Sequence, residues 1–246
     1  MSFPGPGSFS VKNDLLANLP VDDTTGLASA VRTERLGRGV VLSSRMEPAT
    51  DVWFPQAGVV SLSFTDNNGR SVQTGMVGRE GCAGVESLFT GVPVLAEAVV
   101  LIEGDMAAIP AAQLRSAMIA SPPIQHAVSR FLYAMAAQSL QTVACNRLHS
   151  LQARCCRWLL MTQDRIGRDD LPLTQEGLAR MLGSGRPRIN ILLAMLEHDG
   201  LVCRSRGRIH LRSRARLEER ACECYRLLRH VPRWQADAVA PSPTGP

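Results

Sequence analysis

"LTQEGLARMLGSGRPRINILLAMLEHDGLV", Leu173 to Val202, is the stretch that decides the fold. Thr174 is a good helix N-cap, and Leu178, Met181 and Leu182 follow at the i, i+3, i+4 spacing that makes one apolar face. Gly183 comes straight after, where a helix commonly ends in a left-handed residue, and Ser184-Gly185 extends the break. Pro187 then stands in a first helical turn, where its missing N–H is not needed, and Ile189, Leu192, Leu193 and Leu196 fall on one face. Two short helices around a three-residue, glycine-containing turn match the helix-turn-helix, whose second helix enters the DNA major groove by its N-terminal end. Arg186, Arg188 and Asn190 are expected to face outward there. An arginine so placed offers two parallel hydrogen bonds to guanine O6 and N7, worth about 1–3 kcal/mol of discrimination against a wrong base. Thr174 and Gln175 are expected at the DNA as well. The alternative for this stretch is an ordinary helical hairpin with solvated arginines.

The segment after the second helix favours DNA. "LVCRSRGRIHL", Leu201 to Leu211, reads as two short strands around a Ser-Arg-Gly turn, which makes a wing directly after the recognition helix. Arg204, Arg206 and Arg208 cluster at its tip and repel one another unless an anion lies nearby, so phosphate backbone or a minor groove is the expected partner. A solvated basic turn is the alternative.

Charge is unevenly placed along the 246 residues. Residues 1–146 carry 9 basic and 12 acidic groups, whereas residues 147–230 carry 17 and 9. An acidic N-terminal part joined to a basic C-terminal part is expected when one domain meets nucleic acid. Lys12 is the only lysine, which favours planar bidentate contacts, although a GC-rich genome gives the same bias. The length suits two domains, each with its own core. No segment approaches ~18 continuous apolar residues and no basic stretch precedes an apolar core at the N-terminus, so no membrane contact is expected. Seven cysteines at irregular spacing argue against a disulfide framework and fit a reducing compartment, which points to the cytoplasm.

Residues 32–110 read as short strands between turn signals: "GVVLSS", "DVWFP", "VVSLSF", "SVQTGMV", "AVVLIE" and "MAAIP". Asp66-Asn67-Asn68-Gly69 is a hairpin turn with the glycine and asparagines suited to positive φ. The expected fold class is α+β, with an antiparallel β-roll or jelly roll over residues 11–120. Within it, "GREGCAGVESLFTG" sets glycines ahead of a short helix, where backbone N–H groups can turn toward an anion. Gly81, Gly84 and Glu86 are the candidates for effector binding, the alternative being that the glycines serve turns, as they mostly do in β-proteins.

"SPPIQHAVSRFLYAMAAQSLQTVACNR" then reads as one long helix over residues 121–147, capped by Ser121. Ile124, Val128, Phe131, Leu132, Met135, Leu140 and Val143 mark an apolar stripe. The stripe is expected to pair with a second copy, because helix-turn-helix dimers match two-fold symmetric sites; packing on its own β-domain is the alternative, and the two ends can differ. Residues 148–230 form the winged helix-turn-helix. Residues 1–10 and 236–246, rich in small residues, proline and glycine, are expected to be disordered.

This order of parts resembles the Crp/Fnr family of bacterial transcription regulators, from about Leu15 to Arg229 and most specifically in the helix-turn-helix, the wing and the preceding "SLQARCCRWLLMT". The resemblance implies a cyclic-nucleotide-binding-like β-roll, an effector that reorients the DNA-binding domains, and RNA polymerase as a further partner. Two departures limit it. Cyclic-AMP-binding members offer a glycine-flanked glutamate to the ribose and an Arg-Ser pair to the phosphate. Here Gly84-Val85-Glu86 keeps a glycine and an acid, but Glu97 and Ala98 stand about where Arg-Ser would lie, with no arginine from Val92 to Gly104. A buried phosphate beside a carboxylate costs several kcal/mol, so tight cyclic-AMP binding is not expected. The family also commonly carries Arg-Glu and a later arginine on the recognition helix; Arg186 matches the first, but Pro187 and Ile191 replace the others. Proline cannot accept from cytosine N4, so a different operator is expected, with Arg188 supplying a contact.

No cofactor or metal is expected. The first cysteine is Cys82, unlike iron–sulfur members with an N-terminal cluster. Cys222 and Cys224 are read as lying in one helix, where i and i+2 side chains diverge and cannot grip one ion. Cys155 and Cys156 read as core thiols, a redox role being the alternative. His126, His149, His198, His210 and His230 show no ligand spacing. The leading reading is a homodimeric, sequence-specific regulator of double-stranded DNA. The alternative is a ligand-binding or interaction module whose basic domain meets an acidic protein. An enzyme is not expected, because no nucleophile–base pair or paired carboxylates are spaced for chemistry.

Overall fold

The computed structural model describes residues 11–19, 26–89 and 92–230. The two terminal segments expected to be disordered lie outside these residues. Among the described residues, seven strands build the N-terminal unit: β1 (Arg32–Leu36), β2 (Val41–Ser43), β3 (Asp51–Pro55), β4 (Val59–Thr65), β5 (Ser71–Val77), β6 (Glu97–Ile102) and β7 (Gly104–Pro110). They form two antiparallel sheets, ordered β1-β7-β3 and β2-β6-β4-β5. Val52, Phe54, Val60, Leu62, Val100, Met106 and Ile109 fill the space between them. Strand β1 was not foreseen, because its residues Arg-Thr-Glu-Arg-Leu are nearly all exposed and carry no apolar alternation. The β4–β5 hairpin closes through Asp66, whose carboxylate accepts from the Asn68 and Arg70 backbone N–H at 3.0 and 2.8 Å. Of that turn only Gly69 takes positive φ, so the asparagines serve without it.

A short helix α1 (Asp14–Ala17) precedes the strands, and α2 (Ala111–Ala120) follows them. Ser121 then caps the long helix α3 (Pro122–Leu148), its side chain accepting from Ile124 N at 3.3 Å. The apolar stripe divides. Ile124, Val128 and Phe131 are buried, and Leu132 and Met135 partly so, all against the β-roll of the same chain. Leu140 and Val143 are 73% and 70% exposed, with Tyr133 and Leu148 also outward.

The C-terminal unit contains α4 (Leu151–Ile166), β8 (Asp170–Leu171), α5 (Gln175–Met181), α6 (Arg186–His198), β9 (Val202–Ser205), β10 (Arg208–Leu211), α7 (Arg214–Arg220) and α8 (Cys224–His230). A three-stranded sheet, β8-β10-β9, carries the wing. Leu159, Leu160, Leu178, Ile189, Leu193, Leu196, Val202 and Ile209 share one core. That core reaches Val59, Met76, Leu101 and Ile102 of the β-roll, so the two units are packed together. Gln138 clasps both backbone groups of Met76, Trp158 Nε1 donates to Gln73 Oε1, and Arg165 meets Glu80 at 2.7 Å. Among the described residues no helix is long and apolar enough to cross a membrane.

Candidate nucleic-acid interface

Helix α5 begins as its sequence dictates: Thr174 Oγ1 accepts from Gly177 N at 3.0 Å. Its apolar face, led by Leu178 and Leu182, is buried, while Arg180 points out. The helix ends at Gly183 in the left-handed region, φ 59°, which L side chains enter at a cost. Helix α6 restarts at Arg186 with Pro187 in its first turn and buries Ile189, Leu192, Leu193 and Leu196. Arg186 and Arg188 are exposed at its N-terminal end, as the sequence indicates.

Asn190 departs from expectation. It is half-buried on the flank of α6, and its Oδ1 is enclosed without a donor among the described residues. The helix turns 100° per residue, so Asn190 follows buried Ile189 by too little to face the groove squarely. The outermost line instead holds Pro187 and Ile191, the latter 64% exposed, with Met195 beside them at 52%. The reading from sequence treated Ile191 only as a lost arginine; its exposure is legible from the α6 apolar spacing, which leaves position 191 opposite the core.

The wing arginines do not act alike. Arg208 pairs with Asp170. Arg204 lies against Glu197 of α6, with its guanidinium at 2.7 Å and its backbone N–H donating at 2.8 Å. These bonds, the backbone one foremost, hold the Glu197 carboxyl below its usual range. Carboxylates from neighbouring elements therefore relieve the repulsion that an external anion was expected to relieve. Arg206, at the exposed tip beside Gly207, is left without an acidic partner among the described residues, as are Arg180, Arg186 and Arg188. Thr174 and Gln175 are half-buried; Thr174 also accepts from Arg38 of the β-roll at 3.2 Å.

The β-roll glycines have a structural reason of their own. A methyl group at Gly81 would lie 2.0 Å from the Phe131 ring of the long helix. Gly84 has φ 81°, and a side chain there would come within 2.7 Å of the Asp51 carbonyl. The N–H groups of Gly81, Ala83 and Ser87 donate to Gly78, Trp53 and Gly84 carbonyls, so they are not turned to an anion. Glu86 is the second residue of the 3-10 turn Val85–Leu88, and burial pushes its carboxyl up. Glu97 is half-buried and Ala98 buried.

One correction concerns cysteine. Cys222 stands in the turn ahead of α8, not within it, so the helical argument that separates it from Cys224 does not hold. His149, the C-cap of α3, lies with them and with Cys145, four residues earlier on the helix. Cys155 and Cys156 are buried, and burial raises both thiols, Cys156 to about 11, which disfavours the reactive thiolate.

Two family patterns match the chain: the cyclic nucleotide-binding domain over residues 33–121 and the Crp-like helix-turn-helix domain over residues 153–220. No curated protein matches it significantly. Among solved structures, a putative Crp/Fnr family transcriptional regulator from Eubacterium rectale superposes with a TM-score of 0.68 at 20% identity, covering 84% of this chain and 96% of that one. A CRP family transcriptional regulator from Thermus thermophilus gives 0.66 at 25% identity, with 76% and 96% covered. The c-di-GMP responsive global regulator CLP from Xanthomonas campestris gives 0.66 at 17% identity, with 79% and 100% covered. With its β-roll, long helix and winged helix-turn-helix in this order, the chain belongs to the Crp/Fnr family of transcription regulators. The helix-turn-helix makes it a DNA-binding protein.

Proposed function

We propose that the protein is a homodimeric, sequence-specific transcription regulator of the cytoplasm that works without cyclic AMP. The observation that carries the DNA-reading role is the first turn of α6, where Arg186 and Arg188 stand exposed and free of carboxylates among the described residues. Arg186 and Arg188 read base edges, Ile191 offers an apolar partner to a thymine methyl, and Arg206 and Arg180 hold phosphates. Arg204 and Arg208 set the wing in place. The exposed Tyr133, Leu140, Val143 and Leu148 support pairing of two long helices from their middle to their C-terminal end, which would set two α6 helices about one DNA turn apart.

Independence from cyclic AMP is supported by the occupied N–H groups around Gly81 and Gly84, by Glu97 and Ala98 in the place of an Arg-Ser pair, and by Arg115, already donating to the Ser87 carbonyl at 2.9 Å. A cleft of about 720 Å³ between β-roll, long helix and winged unit, lined by Gln56, Glu80, Phe131, Gln138 and Arg165, is where an effector would touch all three. The test is selection of bound duplexes from a random pool by the purified protein, near physiological salt and without ligand. A two-fold symmetric consensus with half-sites one turn apart is expected. Salt-sensitive binding with no enriched sequence defeats the reading and favours an acidic protein partner. Micromolar cyclic-AMP binding by calorimetry overturns the effector statement.

A further inference from the structure

The turn between α7 and α8 returns the chain to the last turn of the long helix, and four ligand-type side chains meet there. The sulfurs of Cys145, Cys222 and Cys224 and a ring nitrogen of His149 all lie within 4.8 Å of one another. Cys145 Sγ is 3.5 Å from Cys222 Sγ, and Cys224 Sγ is 3.4 Å from His149 Nδ1. A tetrahedral zinc ion, with Zn–S near 2.3 Å and Zn–N near 2.0 Å, sets its ligand atoms roughly 3.5–3.8 Å apart. The Cys145–Cys222 and Cys224–His149 pairs are already at about that spacing, and the whole set, within 4.8 Å, needs only a small contraction to close on the ion.

Its surroundings fit the same ion. The cysteines are buried, with Ala153 packed over them. His149 Nε2 bonds the Glu223 carboxylate at 3.0 Å, leaving Nδ1 toward the sulfurs; a carboxylate that orients a histidine from behind is a regular feature of zinc sites. Gln141 Nε2 donates to Cys224 Sγ at 2.9 Å, a bond that strengthens when the sulfur is a thiolate. Three thiolates and one neutral imidazole around Zn²⁺ leave one negative charge. Arg157, 4% exposed, is close enough to Cys145 to interact with it electrostatically and has no carboxylate partner among the described residues. A buried guanidinium without a counter-charge is costly, and an anionic centre beside it supplies one. The sulfur-rich donor set excludes magnesium and calcium as occupants, because they take oxygen ligands.

We propose that Cys145, His149, Cys222 and Cys224 form a closed, four-coordinate site for one zinc ion. It would act as a clamp. His149 ends the long helix and Ser150 caps the next, so the ion ties the far end of the winged unit to the junction that joins it to the dimer helix. As zinc binds, each thiol that still carries a proton releases it to solvent.

The test uses the full chain, stripped with a chelator under reducing conditions and titrated with Co²⁺ as a spectroscopic probe. Saturation at one Co²⁺ per chain is expected, with the visible bands of tetrahedral thiolate coordination, followed by displacement by Zn²⁺. Cys145→Ser or Cys224→Ser, each leaving two thiolates, should lower the sulfur-to-metal charge-transfer intensity per bound Co²⁺ by about a third and weaken uptake, whereas Cys203→Ser on β9 should leave both unchanged. Glu223→Gln changes only an exposed residue, so folding is not in question; it should keep the spectrum and weaken affinity by about 10–100-fold. No tetrahedral spectrum in the wild-type chain, a spectrum unaffected by the cysteine variants, or a Cys145–Cys222 disulfide formed in place of metal uptake would each overturn the site.

Discussion

Replacing Arg206 and Arg204 separately by alanine separates a phosphate contact from a structural brace within one wing. Arg206 is exposed at the tip and unpaired among the described residues, so in the proposed DNA-bound dimer it should neutralise one phosphate per subunit. Each neutralised phosphate adds about 0.9 to the slope of log affinity against log salt, so losing two lowers the slope by about 1.8. Over a fourfold rise in salt, from about 50 to about 200 mM, the ratio of wild-type to Arg206→Ala affinity should then shrink roughly 12-fold. The loss should be equal on operator and random duplex, because phosphates carry no sequence. Arg204 is already bonded to Glu197 through side chain and backbone. Arg204→Ala should leave the slope unchanged and lower thermal stability modestly, within about 1 kcal/mol for a pair this accessible. Fluorescence anisotropy across a salt series reads both. If Arg204→Ala lowers the slope as far as Arg206→Ala does, the division of labour is wrong.

Three further outcomes are expected. Arg186→Ala should cost about 1–3 kcal/mol per half-site on the selected operator and little on random DNA, measured by competition binding; equal losses on both would count against base readout. Leu140→Glu with Val143→Glu, at side chains 73% and 70% exposed, should give a folded monomer in sedimentation, and a persisting dimer would place the interface elsewhere. Glu86 is an acid raised by burial, so its stability contribution is most favourable below the ordinary glutamate value of 4.5 and is lost as pH rises through the folded value. Glu86→Gln should therefore raise the melting temperature at neutral pH, with the gain fading toward pH 4; a gain that grows on acidification would reverse the assignment.

Apolar periodicity carried much of this structure. The spacing of Leu178 and Leu182, and of Ile189 through Leu196, marks both helices of the winged unit's hairpin, and short apolar runs between turn signals mark most strands. Strand β1 was invisible because Arg32, Thr33, Glu34 and Arg35 lie on an exposed edge. The partner of Arg208 was invisible for another reason: Asp170 is 38 residues away, and only the β8–β10 pairing brings them together. The cysteine cluster had a readable half, Cys145 and His149 at i, i+4 on a helix, but Cys222 and Cys224 join them only through the fold of a turn assumed to be helix.

The seat of α5 on the β-roll limits how freely this protein could be recombined. Val72 lies 3.2 Å from where a side chain at Gly183 would begin, Ser61 donates to the Met181 sulfur, and Arg38 reaches Thr174. A graft cut at His149–Ser150, moving the winged unit onto another regulator's β-roll, would leave these surfaces against strangers. The winged unit and the β-roll are keyed to each other, so a working hybrid needs the lock transplanted with the key: Arg38, Ser61, Val72 and Gln73 must travel with the C-terminal half.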